Sequence, residues 1–157
     1  MHLTTLCYIE NQGRYLLMHR NKKTLDENAG VWIGVGGGLE ENESPDEGIL
    51  REIGEETGLH VSDLRLRGIL TFILPDWGNQ LAFLYTARTE EWDFIPCDEG
   101  TLAWIPIEEV SSLPLWEGDR VFLPLLTQRK DCFSLKLVYA SGGALLGYTL
   151  DGVEHTI

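Results

Sequence analysis

Residues 44–58 are bounded at both ends so tightly that one local structure is left to them. Ser44 is followed by Pro45, Asp46 and Glu47. A hydroxyl can accept from the third backbone N–H, a proline suits the first helical position, and a glutamate can reach back to the cap. Gly58 follows Thr57, where a helix commonly stops on a left-handed residue. The spacing predicts a helix over 45–57. On it Glu52, Glu55 and Glu56 stand at i, i+3 and i+4 and share one face. Ile49, Leu50 and Ile53 lie on other sides and can anchor the helix to a core. Like charges at this spacing cost about 0.2–0.5 kcal/mol per pair. A hard divalent cation removes that cost, and an oxygen-only set that leaves room for water and phosphates suits Mg²⁺ or Mn²⁺. Histidine and cysteine are absent nearby, which argues against zinc. Taken alone, the triplet is equally a solvated acidic face.

The acid is concentrated there. Residues 37–59 hold eight acids against Arg51, about half of a formal net charge of −13. Such an excess disfavours a protein that grips a nucleic-acid polymer or an anionic membrane by its own charge. With 157 residues and 43% apolar content the chain reads as one domain, 1–157, with a real core. Cys7, Cys97 and Cys132 form no CxxC pair, so neither a zinc knuckle nor a disulfide framework is indicated. Reduced thiols, no leader-like N-terminus and no long apolar run point to a soluble, cytoplasmic protein. Oligomeric state is not readable from the sequence.

Elsewhere, strands are expected at 3–9 and 14–19 around a turn at 11–13, which is a hairpin signal. A polar loop, 21–30, leads to a short apolar run, 31–35, and then to Gly36-Gly37-Gly38. Strands at 64–74 and 80–87, a strand at 102–105, a short helix at 107–112 and a second helix at 119–129 follow, with Pro124 interrupting the last. A hairpin of 133–139 and 144–149 closes the chain. This is a mixed α/β pattern with a largely antiparallel sheet. The glycine run is neither a P-loop, since no Lys-Ser/Thr follows, nor a dinucleotide fingerprint, since Leu39 holds the third glycine position. Its backbone can approach a metal or phosphate closely, or it can be a bulged strand end. Gly48 and Gly54 inside the helix each cost up to about 1 kcal/mol, and close packing is the expected reason.

Gly37, five residues, Glu43, seven residues, then Arg51-Glu52-Ile53-Gly54-Glu55-Glu56-Thr57-Gly58-Leu59 resembles the Nudix box at every fixed position. The resemblance implies an α/β/α sandwich around a mixed sheet and Mg²⁺-dependent hydrolysis of a nucleoside diphosphate linked to a further group. It implies Glu52, Glu55 and Glu56 as metal ligands with the Gly36 carbonyl beside them. Arg51 and Glu43 would tie loop to helix, beside Gly37, and Gly58 would end the helix. The flanks are similar to the MutT-type subgroup that hydrolyses oxidised purine nucleoside triphosphates such as 8-oxo-dGTP. Trp32-Ile33-Gly34-Val35-Gly36-Gly37 resembles that subgroup's approach to the box, and Glu99 matches a later acid near the metal. The segment Leu115-Trp116-Glu117-Gly118-Asp119 resembles one in which Trp stacks on the base and Asp hydrogen-bonds it. Gly38, Ile33 and Gly118 depart from that pattern, where Lys, Asn and a second Asp are usual.

The expected chemistry is attack of water on the phosphate chain, giving nucleoside monophosphate and pyrophosphate. Glu55, Glu56 or Glu99 would take the proton. Arg20, with Lys22 and Lys23 nearby, can orient phosphates. Trp116 stacks on a purine or lies in the core; Asp119 accepts from the base or caps a helix; Phe72 faces the pocket or fills the sheet core. His2, His19, His60 and His155 match no metal spacing and read as surface or satisfied residues. The expected partner is a small nucleotide, with no nucleic-acid polymer and no membrane. ADP-ribose or a dinucleotide is the alternative substrate, and a non-catalytic ligand-binding module the alternative class.

Overall fold

Alternation along the central strands decides the architecture. The computed structural model describes residues 1–22 and 26–157. In it β1 (His2–Asn11) sends Tyr8 to one apolar cluster and Cys7 and Ile9 to another. β2 (Arg14–His19) does the same with Tyr15 and Leu17 against Leu16 and Met18. Strands buried on both faces need cover on both. Helix α1 (Pro45–Thr57) covers the Cys7 face with Ile49 and Ile53. Helix α2 (Asp119–Gln128) covers the Tyr8 face with Phe122 and Leu126. Burying Ile49 and Ile53 contributes about 1.5–3 kcal/mol each, which outweighs the repulsion on the acidic side of α1. The result is the expected α/β/α sandwich.

The remaining strands are β3 (Trp32–Ile33), β4 (Val35–Gly38), β5 (Ser62–Ile73), β6 (Gln80–Arg88), β7 (Thr101–Pro106), β8 (Phe133–Tyr139), β9 (Leu145–Leu150) and β10 (Val153–Thr156). The sheet runs β10-β9-β8-β5-β6-β1-β2-β3, with β4 on β1 and β7 on β2. The β1–β6 and β5–β8 pairs are parallel and the other pairs antiparallel. A 3-10 turn fills Ile107–Ser112. Among the described residues no helix is long and apolar enough to cross a membrane.

Both ends of α1 form as the sequence dictates. The Glu47 N–H donates to Ser44 Oγ at 3.1 Å and the Ser44 N–H to Glu47 Oε1 at 3.0 Å. Gly58 ends the helix at φ 71°. The buried Tyr85 hydroxyl donates to Asp46 and ties the first turn to β6. Of the two readings of the glycine run, the strand is observed: Gly36, Gly37 and Gly38 pair in register with Leu6, Thr5 and Thr4 of β1. Two features differ from the sequence expectation. Pro124 lies inside a continuous α2. Finally, β10 adds a hairpin through Asp151 and Gly152, where an exposed, polar tail without alternation gives no strand signal.

Candidate active site

The acidic end of the site is built by α1 against β4. The Gly36 N–H donates to Glu56 Oε2 at 3.4 Å. A Cβ on Gly37 would stand 2.7 Å from Glu52 Oε1, and one on Gly36 would collide with the Thr5 carbonyl. Only glycine lets the two carboxylates come so close to the strand. Glu56 is buried, and burial first, then Glu52 and Glu99, hold its carboxyl well above the usual range. Arg51 organises the rim. It donates to Glu43 at 2.6 and 2.9 Å, to the Gly38 carbonyl at 3.1 Å and to Glu52 at 2.9 Å. That fork pulls the Glu43 carboxyl down to about 2. Loop and helix are thereby one unit.

The opposite wall comes from α2 and from residues 26–28. Asp119 is the first residue of α2, buried at 5% exposure, and lines the cavity. It makes no capping bond, and among the described residues nothing hydrogen-bonds its carboxylate. Burial pushes it up to about 8, with Arg120 opposing weakly. Trp116 stands beside it, edge-on to Tyr139 and donating from Nε1 to Asn28 Oδ1 at 2.8 Å. The missing second acid at Gly118 has a steric reason. Its N–H donates to the Tyr139 hydroxyl, and a Cβ there would collide with that hydroxyl. Ile33 lines the cavity as an apolar side chain.

One cavity of about 310 Å³ collects Gly36, Gly37, Glu52, Glu56, Glu99, Arg20, Phe72, Trp116 and Asp119. Arg20 is held by Asp26 at 2.7 Å and Glu99 at 3.1 Å. Glu55 is not part of the lining. Its carboxylate is 62% exposed and sits 3.3 Å from Arg51. Lys22 donates to the Cys97 carbonyl and also lies outside the lining. Lys23 falls outside the described residues. Gly48 is close-packed, against Leu39 and Glu43, but Gly54 faces open space and nothing in the structure explains it. Among the wall residues that sequence reasoning missed are His2, Asn28, Tyr139, and Gln80 with its partner Glu27. The strands that carry Gln80 and Tyr139 and the loop that carries Asn28 were legible, but the extension of β1 to His2 and the sheet face that carries the cavity were not.

Among the described residues no three His, Cys, Asp or Glu side chains converge into a complete cage for a metal ion. Glu52 and Glu56 do face each other, one of them buried and charge-starved by its neighbour. Two hard carboxylates fit a divalent cation that takes its other ligands from water and substrate phosphates, as Mg²⁺ or Mn²⁺ does.

A NUDIX domain model matches residues 1–126. The chain is 29% identical over 154 residues to the oxidized purine nucleoside triphosphate hydrolase of Danio rerio, covering 97% of this chain and 96% of that one. It is 26% identical to the Nudix hydrolase YvcI of Bacillus subtilis, over 94% and 92% of the two chains. A crystal structure of a MutT protein from Bacillus halodurans superimposes with a TM-score of 0.85 at 27% identity, over 96% and 98%.

Proposed function

This chain belongs to the NUDIX domain family of hydrolases, and from that premise we propose that it cleaves purine nucleoside triphosphates, oxidised ones such as 8-oxo-dGTP included, to nucleoside monophosphate and pyrophosphate. Removal of damaged nucleotides from the cytoplasmic pool is the role that fits this reaction. The observation that carries the purine reading is Asp119: a buried carboxyl that keeps its proton to about pH 8, with no partner among the described residues, beside Trp116. A protonated acid presents both a donor and an acceptor to a base edge. Trp116 offers an indole face, and stacking is worth about 1–3 kcal/mol per base. Phe72 lines the same cavity.

At the other end Glu52 and Glu56 would hold Mg²⁺ or Mn²⁺, with Gly36 and Glu99 beside them and Glu55 joining if it leaves Arg51. When bound, the cation would neutralise phosphate charge and lower the pKa of water in contact with it. Arg20, fixed by Asp26 and Glu99, orients a phosphate oxygen. Water attacks a phosphorus of the chain, its oxygen forming the new P–O bond as the bond to the bridging oxygen breaks. Its proton passes to a glutamate. Glu56 is the best placed by burial, with Glu99 and Glu55 as the other acids in reach.

The test is product analysis over a nucleotide panel with and without Mg²⁺. The expected result is pyrophosphate and monophosphate from purine triphosphates, only with metal. Faster cleavage of ADP-ribose or a dinucleotide would replace the substrate assignment. Binding without turnover would make the chain a ligand-binding module.

A further inference from the structure

We infer that His2 is a phosphate-binding residue of this site, donating from its imidazole to the phosphate chain of the bound nucleotide. The inference rests on the triphosphate reading above and deepens it. Six acids line the cavity, and among the described residues only Arg20 and His2 can supply a basic group to it. A polyanion needs more than that acid-rich wall offers. Arg20 already spends two N–H groups on Asp26 and Glu99. Gln80, the β6 partner of His2, gives its amide to both oxygens of Glu27 at 2.8 Å. No carboxylate pairs with His2 among the described residues, and its ring lies against Gly38 of β4 and lines the cavity. A Cβ on Gly38 would stand 3.3 Å from both Cε1 and Nε2 of that ring. Gly38 therefore leaves the space that His2 uses. On β4 a Cβ at Gly37 would meet Glu52 and one at Gly38 would meet His2. Successive strand positions point to opposite faces, so the imidazole approaches from the other side of β4 and lines the same cavity as Glu52 and Glu56. Neutral or protonated, the ring carries at least one N–H, so the assignment does not depend on its titration.

The backbone of His2 is pinned, its N–H donating to the Asn79 carbonyl at 3.0 Å, while the residue itself is exposed. Removing the ring should therefore leave the fold intact. The experiment uses the chain with no tag added before Met1 and compares wild type, His2→Ala, His2→Lys and the double variant His2→Ala with Gly38→Lys. Two quantities are read: KM for a purine nucleoside triphosphate, and the inhibition constant of inorganic pyrophosphate in Mg²⁺. His2→Ala should raise both about tenfold, the scale of one hydrogen bond to a charged group. kcat should stay within about twofold and the melting temperature should not move. His2→Lys should keep both constants near wild type. The double variant should recover most of the loss, because its ammonium enters the space the ring vacates. Unchanged KM and inhibition constant in His2→Ala, in a wild type that does release pyrophosphate, overturn the assignment of His2 alone. A fall in melting temperature that accounts for the loss, unrescued by His2→Lys, also overturns it. A wild type that releases no pyrophosphate from any nucleotide overturns the reading on which it rests.

Discussion

Glu56 and Asp119 are both buried acids lining one cavity, and both are pushed upward chiefly by burial. Their neighbours differ. Glu56 faces Glu52 and Glu99, so its raised affinity for a proton is partly a demand for positive charge. Asp119 has no carboxylate among the causes of its shift, and Arg120 opposes the shift. Burial alone therefore does not assign a role. An acid in contact with other acids suits a cation, while a buried acid with no carboxylate acting on it keeps its proton and suits a hydrogen-bonding base.

The first way to break this comparison is Glu56→Gln. Relieving the carboxylate pair should leave the protein at least as stable, yet lower kcat/KM by about 10²–10⁴ in pyrophosphate release. Near-native turnover would remove Glu56 from any essential role. Trp116→Ala acts on the other end. It should raise KM for a purine triphosphate roughly tenfold, with kcat little changed, since stacking is uniform binding. An unchanged KM would place Trp116 in the core only.

Asp119→Asn sharpens the contrast through pH. The folded protein holds the Asp119 proton to about pH 8, whereas a free Asp loses it near 3.8. Between those values the native state binds more protons than the unfolded one. Stability from this group is complete below pH 3.8 and declines as pH rises toward 8, by up to roughly 1.4 kcal/mol per unit. Asparagine keeps the shape without the titration, so denaturant melts of the variant should fall less steeply across this window. An identical slope in both proteins would show that Asp119 ionises normally. Smaller still is Asn28→Ala, which frees the Trp116 indole N–H and should raise KM about two- to fivefold. Smallest for catalysis is Ser44→Ala, which should cost about 1 kcal/mol of stability by chemical denaturation and leave turnover intact.

The acidic end was far more legible in the sequence than the other. Helix bounds and the Glu52–Glu56 face follow from spacing within one helix, and the Arg51–Glu43 fork was implied by the resemblance to the Nudix box. The opposite wall joins β1, β6, β8, α2 and residues 26–28, whose meeting is set by sheet order. The sequence pattern put Asn28 in a loop and started the first strand one residue after His2, without saying what either faces. Glu55 shows the limit from the other side. Helical spacing groups it with Glu52 and Glu56, yet Arg51 holds its carboxylate at the rim. Gly118 could be matched by position, but only Tyr139 explains why an acid is absent there.

The central claim is that the two buried acids divide the work, and thermal shift on three proteins tests it most directly. Melting temperatures of wild type, Glu56→Gln and Asp119→Asn would be taken alone, with Mg²⁺, and with a purine nucleoside monophosphate. The division predicts that Glu56→Gln loses the Mg²⁺ shift and keeps the nucleotide shift, while Asp119→Asn keeps the first and weakens the second. Loss of the Mg²⁺ shift in Asp119→Asn, or its survival in Glu56→Gln, would contradict it.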